Sequence, residues 1–307
     1  SAFDTLRECF GKSVAPVVVP IWDESKKVTG VVDVIHKRAF EPDGNKRKEV
    51  PIPEDKVSVV DELYDQLMES VAETSEEFME KFFSGETFTY AEIMQGLRSG
   101  VRDCSLVPVV CGSSYTGLGT LMLLDFIVDL LPNPLEGVPA SATNKDGEHE
   151  DFIVSQGAVP AAFVFKTMAD QYGKFSFVKV ISGSLTSDMT LVNAASGQNE
   201  KLGRLYTMRG KKSEEVKELG CGDIGAIGKM DRIKTGDTLC DARKFVKLDP
   251  IPFAEPNFSK AIAPKTRGQE DKVAQGLYRL NEEDPSFTLV NNGETHQMVL
   301  TGSGDIQ

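Results

Sequence analysis

Few residues in this 307-residue chain have the type and spacing to do chemistry. The turn Cys111-Gly112-Ser113-Ser114 follows the apolar run LVPVV at 106–110 and precedes a helix predicted over 119–131. Gly112 lets a ligand approach the backbone closely, and Ser113 and Ser114 supply hydroxyl donors and acceptors. An ordinary strand-to-helix turn would carry the same residues. Cys9, Cys104, Cys111, Cys221 and Cys240 are an odd set with no CxxC pair, and His36, His149 and His296 lie far apart. Reduced, partly buried thiols are therefore expected, and neither a zinc site nor a disulfide framework. No GxxxxGK(S/T) phosphate loop occurs, and Cys9, His36 and His296 have no local partner for a nucleophilic triad. No catalytic residue and no metal ligand are assigned.

A second candidate is electrostatic. Lys166, Lys174, Lys179, Lys201, Arg204, Arg209, Lys211 and Lys212 fall in one stretch, with Tyr172, Phe175 and Phe177 beside them. Such residues can contact phosphates and stack on bases, and they can equally solubilise and pack alternating strands. The chain as a whole has 34 Lys or Arg against 47 Asp or Glu, a formal charge of −13 at pH 7. That balance argues against nonspecific binding to DNA over the whole surface. No run approaches the ~18 apolar residues of a membrane span, and SAFDTLRECF lacks the blocks of a signal peptide. The expected compartment is the cytoplasm, with no membrane partner.

The elements that must position these residues divide into three textures. APVVV (15–19) and VTGVVDVI (28–35) read as strands, and GNKRKEVPIP as an exposed excursion. Leu63, Leu67 and Val71 recur at helical spacing in a stretch from Asp61 to Glu80, with Ser58 and Asp61 as its predicted cap. Thr89 and Glu92 have the separation of a capping box ahead of Ile93 and Leu97. These helices read as an acidic insert. LVPVV reads as a buried strand, and the helix after it turns Leu121, Leu124, Ile127 and Leu131 to one face, so strand, turn and helix make a βα unit. Short β-like runs at 160–168, 174–181, 188–193, 201–207 and 223–230 predict an antiparallel β-barrel. After three prolines, a strand at 260–266, a helix through Val273, Leu277 and Leu280, and a hairpin around Asn292-Gly293 predict a β-α-β-β order, an incomplete ferredoxin-like α/β domain.

Long motifs carry a resemblance. GVVDVI (30–35), VPVVCGSSYTGLGTLMLLDFIVDLLPNP (107–134), FKTMADQYGKFSFVKVISGSLTSD (165–188), GDIGAIGKMDRIKTGDTL (222–239) and the segment 263–307 follow one another as in bacterial elongation factor G and its relatives. The chain resembles an internal fragment of that translational GTPase family over nearly its whole length. The resemblance implies a multidomain fold: a partial α/β GTPase domain at 1–134 with a helical insert at about 20–100, an antiparallel β-barrel at 135–250, and a partial ferredoxin-like domain at 257–307. It places Gly112, Ser113 and Ser114 on the guanine-side loop, where Ser114 stands in place of the usual alanine. GSGDIQ differs from the family's GMGELH at Ser303, Asp305 and Gln307, which favours a paralogue over the housekeeping factor. The full-length parent is expected to use GTP or GDP and magnesium and to engage the ribosome and its RNA. The phosphate loop, both switches and the NKxD motif would precede Ser1, so the chain alone is expected to be an inactive monomer that needs no cofactor. A relative acting in ribosome rescue, recycling or stress, and a noncatalytic RNA- or protein-binding module, are the alternatives.

Overall fold

A computed structural model describes residues 2–25, 27–44, 46–137, 139–152, 154–155, 158–170 and 173–307, with the Asp170 side chain outside the description. The chain forms two compact units, Ser1–Gly137 and Val138–Gln307. No helix among the described residues is long and apolar enough to cross a membrane.

The first unit begins with α1 (Ala2–Phe10), β1 (Val14–Pro16), β2 (Val18–Trp22), β3 (Val28–Asp33), β4 (Arg38–Asp43) and β5 (Lys46–Val50). There follow α2 (Glu54–Ala72), α3 (Glu76–Phe83), α4 (Tyr90–Arg102), β6 (Val107–Val109) and α5 (Thr120–Leu130). β2 to β5 make an antiparallel meander, while β1 pairs in parallel with β6, Ala15 opposite Pro108. One apolar cluster joins Val17, Val31, Leu67, Val71, Leu97, Leu118, Met122 and Phe126. Several expectations are corrected. The segment GNKRKEVPIP is largely exposed, as expected, but it supplies strand β5. α2 starts at Glu54 behind Pro53, whose ring cannot cap, so Ser58 and Asp61 lie inside the helix. The run at 106–110 is not a buried strand, since Val107 is 52% exposed. On α5 the buried face is Met122, Phe126 and Leu130, whereas Leu121, Leu124, Ile127 and Leu131 face solvent.

The second unit contains β7 (Ala140–Thr143), β8 (His149–Phe152), β9 (Ala161–Asp170), β10 (Gly173–Ser182), β11 (Leu185–Thr186), β12 (Thr190–Asn193) and β13 (Asn199–Lys201). Next come β14 (Leu205–Arg209), β15 (Lys212–Val216), β16 (Glu218–Leu219), β17 (Ile224–Gly228), β18 (Thr238–Cys240) and β19 (Lys247–Leu248). The antiparallel β-barrel expected for this stretch is not formed. Its strands lie in separate sheets, and the largest, of order β13-β12-β18-β9-β10-β17-β14-β15, is open. Closure needs the first and last strands of a sheet to pair with each other. Here β13 is three residues long and β15 reads KSEEV, short and charged edges of the kind that resist pairing. Val164, Val178, Val180, Leu191, Leu205, Ile227 and Leu239 fill the core against this sheet. The unit closes with β20 (Phe258–Ile262), α6 (Glu270–Glu283), β21 (Thr288–Asn292) and β22 (Gln297–Gly302), in a three-stranded sheet of order β20-β22-β21.

Candidate functional site

The loop between β6 and α5 is built by two glycines that cross. A Cβ on Gly112 would lie 2.8 Å from the Leu118 carbonyl oxygen, and one on Gly119 only 2.5 Å from that of Cys111. Gly119 has φ +75°, a left-handed conformation that side-chain-bearing residues reach only with strain. The Ser113 N–H donates to the Leu118 carbonyl at 2.9 Å, and the Gly117 N–H donates to the Ser113 carbonyl at 2.9 Å. The Ser113 hydroxyl accepts from the Thr116 N–H at 3.3 Å. Ser113 is thus spent on holding the loop.

Ser114 is exposed, and among the described residues neither its N–H nor its hydroxyl has a hydrogen-bond partner. Beside it Tyr115 is 98% exposed. Burial pushes the Cys111 thiol up to about 11, so this neighbour stays protonated and is no nucleophile. A cleft of about 330 Å³ lies alongside, lined by Phe40, Arg47, Leu118, Thr120 and Met122 among others. Arg47 already donates to Asp125 at 2.6 Å. The loop can therefore offer the uncommitted N–H and hydroxyl of Ser114 as hydrogen-bond donors. No group of three or more His, Cys, Asp or Glu side chains among the described residues is placed to hold a metal ion. The sequence pointed to Gly112 through Ser114. It did not point to Gly119, whose role depends on the loop folding back; the seven-residue spacing of the two glycines was the available signal.

The basic stretch is dispersed. Lys174 pairs with Glu282 at 3.3 Å, Lys201 with Asp188 at 2.9 Å, Arg204 with Glu215 at 3.1 Å and Arg209 with Glu214 at 3.5 Å. Phe175 packs edge-on to Tyr206, with ring centroids 5.6 Å apart, and Phe177 packs on Phe165 at 6.3 Å. Both rings are half-buried in the unit. Tyr172 lies outside the described residues.

With this geometry established, comparison defines the class. Residues 160–242 match the model of elongation factor G domain 2, and residues 253–307 match that of elongation factor G, domain III. Over these two segments the chain is similar to elongation factor G. It is also similar to a protein of Thermus thermophilus whose crystal structure is known. The TM-score is 0.83 and the identity 27%, over 99% of this chain and 43% of that one. The chain thus spans less than half the length of that relative.

Proposed function

We propose that the chain is the central part of a ribosome-associated, GTP-binding elongation factor. Residues 1–134 would be the C-terminal part of its GTPase domain with an insert at about 20–100, residues 135–250 its second domain and residues 257–307 the start of its third. The observation that carries this reading is the order of parts: a parallel strand pair, a loop and α5 stand ahead of segments matched to domains 2 and III. Parallel sheets are normally multi-stranded and covered on both faces. Among the described residues β6 pairs only with β1, and α5 turns apolar side chains to solvent, as expected of a GTPase sheet whose other strands lie elsewhere in a longer protein.

In that protein Gly112, Ser113 and Ser114 form the guanine-side loop, and the Ser114 donors, free among the described residues, are available to the base. GTP and magnesium would be held by groups that these 307 residues do not supply, since they include no phosphate loop to neutralise and align the γ-phosphate. Hydrolysis by the whole protein would drive or release a conformational transition of the ribosome. Ser114, Ser303, Asp305 and Gln307 favour an elongation-factor-G-like paralogue over the housekeeping translocase, a relative acting in rescue, recycling or stress being the alternative. The test is titration with a nonhydrolysable GTP analogue and ribosome-stimulated hydrolysis, each on this chain and on the longer protein. Activity in the longer protein alone is expected. Tight binding by the 307-residue chain, or none by the longer one, refutes the reading.

A further inference from the structure

The arginines of the first unit divide by partner. Arg7 lies 3.8 Å from Glu69, Arg38 3.8 Å from Glu49 and Arg47 2.6 Å from Asp125. Arg98 and Arg102 on α4 are exposed, and among the described residues neither is paired with a carboxylate. They stand one turn apart on the same helix face, where like charges repel. Arg102 lies in the last turn, where a cation offsets the helix dipole, but Arg98 lies outside that turn. Both open into a cleft of about 900 Å³, whose α4 wall also carries Tyr90, Met94, Gln95 and Ser99. Arg98 Nε donates to the Asp129 carbonyl, which holds the guanidinium in place on the end of α5 and leaves its terminal nitrogens uncommitted among the described residues.

Tyr90, Met94, Arg98 and Arg102 recur every four residues and form one row along the cleft, each step about 6 Å along the helix axis. In an extended peptide alternate side chains point the same way and stand about 6.4–6.8 Å apart. Such a chain laid along α4 brings every second residue to the next member of the row. Guanidinium forks at two successive members select carboxylates there, and the ring and thioether at the other two select an apolar side chain. Asp129 and Glu136 line the same cleft and repel the unbroken run of phosphates on a nucleic-acid strand. A peptide separates its carboxylates by a neutral residue and supplies N–H donors to those two side chains. We propose that this cleft is a docking site for an extended acidic peptide, with carboxylates on alternate residues paired to Arg98 and Arg102 and an apolar side chain two residues away against Met94 and Tyr90. The site lies wholly within Ser1–Gly137 and uses no group of the Gly112–Ser114 turn, so it stands or falls apart from nucleotide binding.

The experiment uses the 307-residue chain and fluorescence anisotropy of a short labelled peptide that carries a leucine and, two and four positions further on, two glutamates. A peptide with glutamine at both of those positions and a labelled oligouridylate of similar length are titrated beside it. The acidic peptide should saturate the chain below about 1 mM. Its affinity should fall at least ~10-fold in R98Q/R102Q, and the glutamine peptide should bind the unmodified chain at least ~10-fold more weakly. About 1 M salt should weaken the acidic peptide by a similar factor, since the Debye length there is ~3 Å. Both arginines are exposed, so the thermal midpoint of R98Q/R102Q should stay at that of the unmodified chain. Amide shifts on binding should cluster between Tyr90 and Arg102. The absence of saturable peptide binding by about 1 mM overturns the proposal. So does equal affinity for the glutamine peptide, equal affinity in R98Q/R102Q, or tighter binding of the oligouridylate than of the acidic peptide.

Discussion

Gly119 and Ser114 make opposite demands on the candidate loop. At Gly119 the left-handed φ and the 2.5 Å approach to the Cys111 carbonyl leave no room for a methyl group. Gly119→Ala should therefore destabilise the first unit by at least about 1–2 kcal/mol, the cost of the backbone conformation alone. Ser114→Ala, on an exposed side chain with no partner among the described residues, should change stability by less than about 0.5 kcal/mol. Thermal unfolding of the two variants separates these outcomes, and equal midpoints would contradict the crossing-glycine account. Residue type was enough to suggest Gly112. The partner glycine was hidden because a sequence does not say which backbone segments approach each other, and the same limit concealed that the Ser113 hydroxyl turns inward to Thr116.

Among elements, α4 was the most legible, because its start is set by groups three residues apart. Thr89 caps Glu92 and Glu92 caps Thr89, as the spacing predicts. Thr89→Ala should cost about 1 kcal/mol in chemical denaturation. The structure adds a partner that spacing could not reveal: Lys81 of α3 donates to Glu92 Oε1 at 2.6 Å. That bond, followed by those from the Thr89 N–H and hydroxyl, holds the Glu92 carboxyl at about 2, below its ordinary 4.5. The folded state thus favours the ionised form. Its contribution is complete above about pH 4.5 and is lost as pH falls toward about 2. Unfolding midpoints across that window should fall less steeply in Glu92→Gln than in the unmodified chain; identical slopes would remove Glu92 from the account. Elements whose limits depend on distant partners were less legible. Charges in GNKRKEVPIP masked strand β5, which is stabilised by pairing with β4. The barrel expectation failed for a related reason: alternation identifies strands, while closure depends on which edges meet, and β13 and β15 do not.

For the whole molecule, the decisive surface is the outer face of α5. Leu121, Leu123, Leu124, Ile127, Val128 and Leu131 are between 40% and 79% exposed, a continuous apolar stripe on a helix whose opposite face is packed. Monomeric proteins rarely leave such a patch uncovered. The proposed function supplies a cover, the remaining strands of a GTPase sheet, and makes the same substitution behave differently in two molecules. In the 307-residue chain L124D/I127D replaces solvent-facing side chains and should change stability by less than about 0.5 kcal/mol while improving solubility. In the longer protein the carboxylates would be buried without partners, and the first domain should lose several kcal/mol, of the order of ~3 or more. Denaturation curves of both molecules, each with and without the double substitution, decide the matter. Equal small effects in both would mean that nothing in the longer protein covers α5, and the assignment of residues 1–134 to a GTPase domain would lose one of its structural supports.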